Sequence, residues 1–311
     1  MRADLAQMRA DSAASDPNYR AGPIWDRIGR SFEAWFAIEG IGEVENQTLN
    51  GLFSSATPGN PKLLRYACWM LYRDILARDR AQLLSIPATA ALDAGLAFRF
   101  GDHLVSWDQL ISIDTIYAMA DADPRLLTEK VIVGDLGAGW GRIGYILKKA
   151  NPLATYVALD LPETLLVSQT HLPRRLPGER ILTYAEARDI PLNRETLGQR
   201  GCAFLGAHDL PRIADGTFDG FLNIGSFQEM SRAQVSNYMA QIDRTLCGTL
   251  FLQQLHAAGT HGYGVGEIGG LDEYDFPPKW WSVRLTNSTW SDLYFDAVFE
   301  VNASSQRSAR A

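Results

Sequence analysis

Residues 131–147 read VIVGDLGAGWGRIGYIL. An apolar run stops at Asp135, glycines follow at 137, 139, 141 and 144, and an apolar pattern of helical spacing begins. Strand, glycine turn and helix start are the parts from which open α/β sheets build a ligand site, outside the carboxyl ends of the strands. Glycine lets the backbone come close to a ligand. The free N–H groups of a helix beginning near Gly141 favour a negative group. Two kinds of cofactor fit such a turn. Gly139-x-Gly141-x-x-Gly144 matches the dinucleotide fingerprint. Asp135-Leu136-Gly137-Ala138-Gly139 fits a loop for a ligand without phosphates.

Asp135 separates the two. A carboxylate directly before the glycine turn repels a pyrophosphate and attracts an ammonium. S-adenosylmethionine carries an amino group, a carboxylate and a sulfonium, and no phosphate. It is the expected cofactor, and a nicotinamide dinucleotide is the competing one. A second acid, Asp160, closes the run TYVALDL, 25 residues after Asp135. A carboxylate at that strand end can accept hydrogen bonds from both ribose hydroxyls, which either cofactor offers. The structural alternative for Asp160 is an N-cap for a helix starting near Pro162.

Outward from this stretch, short apolar runs alternate with helical stretches from about residue 130: VIVGDL, TYVALDL, CAFLGA, FDGFLNIG, TLFLQQL. That alternation predicts a parallel sheet with crossover helices. WWSVRL and LYFDAVFEV, joined by the short TNSTWSD, predict a closing antiparallel hairpin. Upstream, IWDRIGRSFEAWF, KLLRYACWMLYRDIL and SWDQLISIDTIYAMA carry apolar residues at helical spacing, with Ser106 or Asp108 near the start of the third. Their aromatic stripes read as core packing. LFSSATPGNP reads as a turn-rich loop. Residues 1–20 and the tail from Ser304 are polar and are expected to fray. The expected fold class is α/β: a Rossmann-like sheet, parallel with a C-terminal antiparallel hairpin, in residues 126–311. An N-terminal helical domain, residues 1–125, precedes it and is expected to cover the acceptor site, to form a homodimer interface, or both.

Bulk properties exclude other classes. A net charge of −7 over 311 residues leaves no global basic field for a nucleic-acid backbone, and the local group Arg174, Arg175 and Arg180 reads as an exposed turn. Cys68, Cys202 and Cys247 are scattered and odd in number, so neither a disulfide framework nor a zinc site is expected. No apolar run reaches the roughly 18 residues of a membrane span. The first residues lack a signal-type apolar core. The chain is therefore expected in the cytoplasm, away from membranes.

At these residues the sequence resembles class I S-adenosylmethionine-dependent methyltransferases, over roughly residues 128–300. DLGAGWG matches their glycine motif and LDLPE their second-strand acid. More narrowly, DLGAGWGRIGYIL, ALDLPETLLVSQ and FLNIGSFQEMSRAQVSNYM resemble sugar O-methyltransferases of bacterial polysaccharide and natural-product clusters. The resemblance implies roles. Asp135, Gly137, Ala138, Gly139, Gly141 and the adjoining Arg142 would hold the methionine moiety. Asp160 would bind ribose, Leu161 would pack on adenine, and His208 and Asp209 would sit by the adenine edge. Asn223, Ile224 and Gly225 would line the transfer cleft, and RTLCGTLFLQQLH would supply a helix, a turn and the fifth strand. It implies O-methylation of a sugar or glycosylated metabolite. N-methylation of a small amine is the nearest rival. Nucleic-acid base methylation is disfavoured, because Asn223-Ile224-Gly225-Ser226 departs from the pattern of those enzymes.

Methyl transfer to a hydroxyl needs alignment and a general base. His256, after LFLQQL, Gln228 and Glu229, in GSFQEM, and His208 are the candidates at strand ends, each with a plain structural alternative, and His256 and Glu229 lead. The glycine- and acid-rich segment after His256 reads as a lid or a surface insertion. His261, Glu267, Asp272, Glu273 and Asp275 lack any fixed metal-ligand spacing, and no metal is expected.

Overall fold

The computed structural model describes residues 2–22, 25–26, 28–29, 61–88, 97–257 and 266–302. In chain order the helices are α1 (Arg2–Ala14), α2 (Pro61–Leu76), α3 (Trp107–Ala122), α4 (Arg142–Ala150), α5 (Pro162–Arg175) and α6 (Arg232–Thr245). The strands are β1 (Ala97–Phe100), β2 (His103–Ser106), β3 (Ile132–Leu136), β4 (Thr155–Asp160), β5 (Ile181–Leu182), β6 (Cys202–Gly206), β7 (Phe218–Ile224), β8 (Leu246–Leu255), β9 (Trp281–Ser288) and β10 (Ser291–Val301). Single helical turns fill some connections.

Eight strands form one sheet in the order β5-β6-β4-β3-β7-β8-β10-β9. From β5 to β8 every pairing is parallel. β10 runs antiparallel to both β8 and β9. The chain steps from β3 to β4 and β6 in one direction, then returns to place β7 on the other side of β3. The switch point thus falls between β3 and β7. The predicted Rossmann-like sheet with its terminal hairpin is the observed one. The hairpin carries one inversion: the later strand, β10, is inserted between β8 and β9.

Alternation along the strands splits the core between the two faces. Val133, Tyr156, Ala158 and Leu222 pack on one side. Val157, Leu159, Leu205 and Phe221 pack on the other. α3 begins with a capping box between Ser106 and Gln109 and is buried nearly all round its circumference. A helix apolar on every side belongs inside a protein. α3 packs on α4, β8 and β10. Leu5, Met8 and the buried side chains of α2 and α3 therefore share one apolar cluster with the sheet, running from Leu5 to Val298.

Two local expectations are corrected. Residues 1–20 were expected to fray, but α1 lies on α5 and buries Leu5 and Met8. Arg9 pairs with Glu163 at 2.7 Å, and Asp11 accepts from the Tyr184 hydroxyl at 2.8 Å. These anchors come from distant sequence, invisible to local polarity. The segment RTLCGTLFLQQL has no turn between helix and strand, because α6 ends at Thr245 and β8 starts at Leu246. The predicted helix from residue 24 lies outside the described residues apart from Trp25, Asp26, Ile28 and Gly29. So do most of LFSSATPGNP, His261 with its neighbours 258–265, and the tail from Ser304.

Candidate active site

A cleft opens at the carboxyl ends of the central strands, over the switch point. Its floor is the turn between β3 and α4. Gly137 and Gly139 have positive φ, +77° and +58°, a region that side chains rarely adopt. A Cβ at 137 would also lie 2.7 Å from Ser226, in the turn after β7. The two loops thus touch where only a hydrogen fits. At 139 the space is open, so the requirement there is conformational. Asn223 braces the contact: its amide donates to the Leu136 carbonyl at 2.8 Å and to Ser226 Oγ at 2.6 Å.

Three carboxyl groups face the cleft. Asp135 is buried at the end of β3 and accepts from the Tyr156 hydroxyl at 2.6 Å. Burial raises its pKa to about 7, while Tyr156 and the Arg142 charge pull the other way. Asp160 ends β4. One of its oxygens accepts from the Gly139 N–H and the other from the Leu161 N–H, both at 2.7 Å. Burial lifts Asp160 to about 6 against these hydrogen bonds. Asp160 therefore sets the shape of the glycine turn directly, a role beyond capping. Glu229, in the single helical turn after β7, is raised to about 7, chiefly by burial. The Trp25 indole N–H donates to its Oε2 at 2.6 Å.

The lining cations are committed elsewhere. Arg142 is buried at the head of α4 and donates to Ser112 Oγ at 3.0 Å on α3. Burial lowers its pKa, opposed by the charges of Asp108 and Asp135. Arg20 turns its guanidinium to the Ser15 carbonyl. As the three carboxyls ionise, with pH rising through about 6 to 7, they outweigh the two guanidiniums and the cleft favours a cation over a pyrophosphate.

The cleft brings together Asp135, Gly137, Ala138, Gly139, Arg142, Asp160, Leu161, Ile224, Gly225 and Glu229 from the sequence-derived candidates. Gly141 caps α4 just beneath it. Asn223 sits behind the lining as a brace. His208 and Asp209 are not among the lining residues: His208 contacts the Tyr184 hydroxyl at 3.1 Å, and Asp209 binds the Gly206 N–H and Arg212. From that segment Ala207 lines the cleft. His256 is also missing from the lining. Its Nε2 pairs with Asn287 Oδ1 at 3.0 Å on β9.

Sequence reading missed Arg20, Ala21, Gly22, Trp25, Gln253 and Tyr294, and offered Gln228 only as a candidate base; together they complete the walls. The first group comes from the segment after α1, held down by Gln234 donating to the Arg20 carbonyl at 2.9 Å. One signal was available. Gln253-Gln254 places two amides inside an otherwise apolar central strand, and buried amides there need assigned partners. Among the described residues no group of three or more His, Cys, Asp or Glu could hold a metal ion, and no helix is long and apolar enough to cross a membrane.

No family model matches the sequence, and no curated protein does. Solved structures show distant likenesses. The PH0226 protein of Pyrococcus horikoshii has 12% identity, covering 63% of this chain and 92% of that one, with a TM-score of 0.42. A TehB-like SAM-dependent methyltransferase of Corynebacterium glutamicum has 16% identity, covering 59% and 86%, with a TM-score of 0.39. The magnesium protoporphyrin IX methyltransferase of Synechocystis, solved with bound SAH, has 16% identity, covering 64% and 88%, with a TM-score of 0.37. At such values these likenesses carry nothing about activity or substrate. The chain's own geometry defines its class: an open, mostly parallel α/β sheet with an acid-lined cleft at its switch point.

Proposed function

We propose that this protein is an S-adenosylmethionine-dependent O-methyltransferase acting on a hydroxyl of a sugar or sugar-containing natural product. The observation that carries the reading is the cleft itself: a glycine turn with close backbone contacts, lined by buried Asp135 and Asp160 and by Glu229. Asp135 would face the ammonium, the backbone from Gly137 to Gly139 the methionine moiety, and Asp160 the ribose hydroxyls. Leu161 and Ala207 would flank the adenine. The sugar comes from the resemblance of DLGAGWGRIGYIL and its companion segments.

When bound, the cofactor supplies a methyl carbon on a sulfonium: the acceptor oxygen forms the O–C bond as the C–S bond breaks, and sulfur keeps the electron pair. The chain's residues do the rest. The proton leaving the oxygen needs an acceptor near neutral pKa, and Glu229 is that group. Trp25 holds its Oε2, and Oε1 has no partner among the described residues. Arg20, Ala21, Gly22 and Trp25 cover the cleft, which supports the covering role proposed for the N-terminal segment. His256 would stand outside the chemistry.

The acid-rich cleft also favours a second reading, N-methylation of a small amine, since carboxylates attract an ammonium. Parallel calorimetric titrations with S-adenosylmethionine, S-adenosylhomocysteine and NAD⁺ test the cofactor. Micromolar binding of the first two with none for NAD⁺ is expected. Binding of NAD⁺ alone would return the glycine turn to a dehydrogenase.

A further inference from the structure

Two buried amides at the cleft have opposite free ends. Gln253, on β8, is 2% exposed. Its Nε2 donates to Ser288 Oγ and to Asp296 Oδ1, both at 2.8 Å. Ser288 also donates to the same carboxyl oxygen. Asp296 and Ser288 are themselves buried, so this triangle fixes the amide with both N–H groups turned away from the cleft. Its Oε1 has no partner among the described residues, though Gln253 lines the cleft.

Gln228, in the turn after β7, is the mirror case. It is 6% exposed. Its Oε1 accepts from the Leu255 N–H at 2.9 Å, and its own N–H donates to Gln254 Oε1 at 3.2 Å. That leaves Nε2 with no partner among the described residues, again on a lining residue. The two amides flank the end of β7. Ile224 pairs in register with Gln253, the Gly225 N–H donates to the Gln253 carbonyl at 2.8 Å, and a Cβ at Gly225 would lie 3.8 Å from Gln228 Nε2.

We propose that Gln228 and Gln253 form a donor–acceptor pair that reads a neutral hydroxyl on the acceptor molecule, beside the oxygen that is methylated. This rests on the methyltransferase reading and deepens it. A hydroxyl can donate to Gln253 Oε1 and accept from Gln228 Nε2 at once. An ammonium only donates, and an ether or carbonyl only accepts, so each leaves one buried amide end unpaired. Glu229 then stays free for the proton of the reacting hydroxyl. The acceptor class is a molecule with at least two neighbouring hydroxyls. A site built to pair a hydroxyl discriminates strongly against the analogue lacking it.

The test uses the full chain loaded with S-adenosylhomocysteine and titrated with methyl glucoside, its monodeoxy analogues and its amino-deoxy analogues. Binding is read by calorimetry, and methyl transfer is followed separately. One deoxy analogue and its ammonium counterpart should bind about tenfold or more weakly than the parent. Gln228→Glu keeps an oxygen for the Leu255 N–H and replaces the free donor by an acceptor. It should weaken the parent, strengthen the ammonium analogue and leave S-adenosylhomocysteine affinity unchanged. That reversal of preference is not produced by a merely structural role. Equal binding of all analogues, no glycoside binding, or an unchanged order in Gln228→Glu overturns the pair. Failure to bind S-adenosylhomocysteine overturns the methyltransferase reading instead.

Discussion

Single residues in the cleft serve two purposes at once. Asp160 holds the Gly139 and Leu161 N–H groups, and its remaining lone pairs are those proposed to take the ribose. Asp160→Ala should weaken cofactor binding by about 1.5–3 kcal/mol, the scale for hydrogen bonds to a charged group. Calorimetry on a variant with unchanged circular dichroism checks this; wild-type affinity would leave Asp160 a loop anchor alone. Gly137→Ala meets both a positive φ and a Cβ at 2.7 Å from Ser226. It should abolish cofactor binding and destabilise the fold by about 1–3 kcal/mol. For Glu229→Gln, turnover should fall about 10²-fold or more with cofactor affinity near normal, while His256→Ala should stay close to wild type. Full activity of Glu229→Gln would remove the base assignment. Asp135, Asp160 and the glycines were legible because the chemistry of their ligand demands them in that order. Gln228 was legible only as one of several strand-end candidates and Gln253 not at all, because an amide declares its role only when its partners are known.

Elements follow the same division. The strands announced themselves through short apolar runs, and α3 through its periodicity and the Ser106 cap. α1 did not. Its composition is polar, and the two apolar side chains it buries, Leu5 and Met8, are too few to make a pattern. Its place is fixed by Glu163 on α5 and by Tyr184. Met8→Ala should therefore destabilise the whole protein by about 2–5 kcal/mol, the range for emptying a buried methionine site, as read by urea unfolding. A loss within about 0.5 kcal/mol, the size of an ordinary surface substitution, would mean that α1 rests on the surface. The hairpin β1–β2 also escaped the sequence, since AFRF and HLVS are too short to stand out from the helical pattern around them.

On the scale of the whole molecule, the cleft links stability to pH. Asp135, Asp160 and Glu229 stand at about 7, 6 and 7 in the fold, above their ordinary 3.8, 3.8 and 4.5. Each binds its proton more tightly folded than unfolded. Their contribution is fully present below the ordinary values and is lost as pH rises through 6 to 7. Asp135→Asn removes one such group, so its effect on unfolding free energy should become less harmful between pH 5 and pH 8. The same difference at both values would show that Asp135 titrates normally. A cationic ligand should stabilise the wild type more at pH 8 than at pH 5. The parallel sheet and its closing hairpin were legible because short apolar runs alternate with helical stretches and a short linker joins the last two runs. The mutual approach of Arg20, Ala21, Gly22 and Trp25 with Gln228, Gln253 and Tyr294 is a long-range product of packing and was not. The insertion of β10 between β8 and β9 has a consequence for synthesis of the chain. β8 is complete at residue 255, yet its neighbour is not made until 291–301. A growing chain thus carries an open, apolar sheet edge until β10 emerges, and a chain that stops after β9 keeps it. Such an edge is a template for pairing with other chains. Termination between β9 and β10 should give insoluble protein, and Tyr294 makes the wall of the cleft wait for β10.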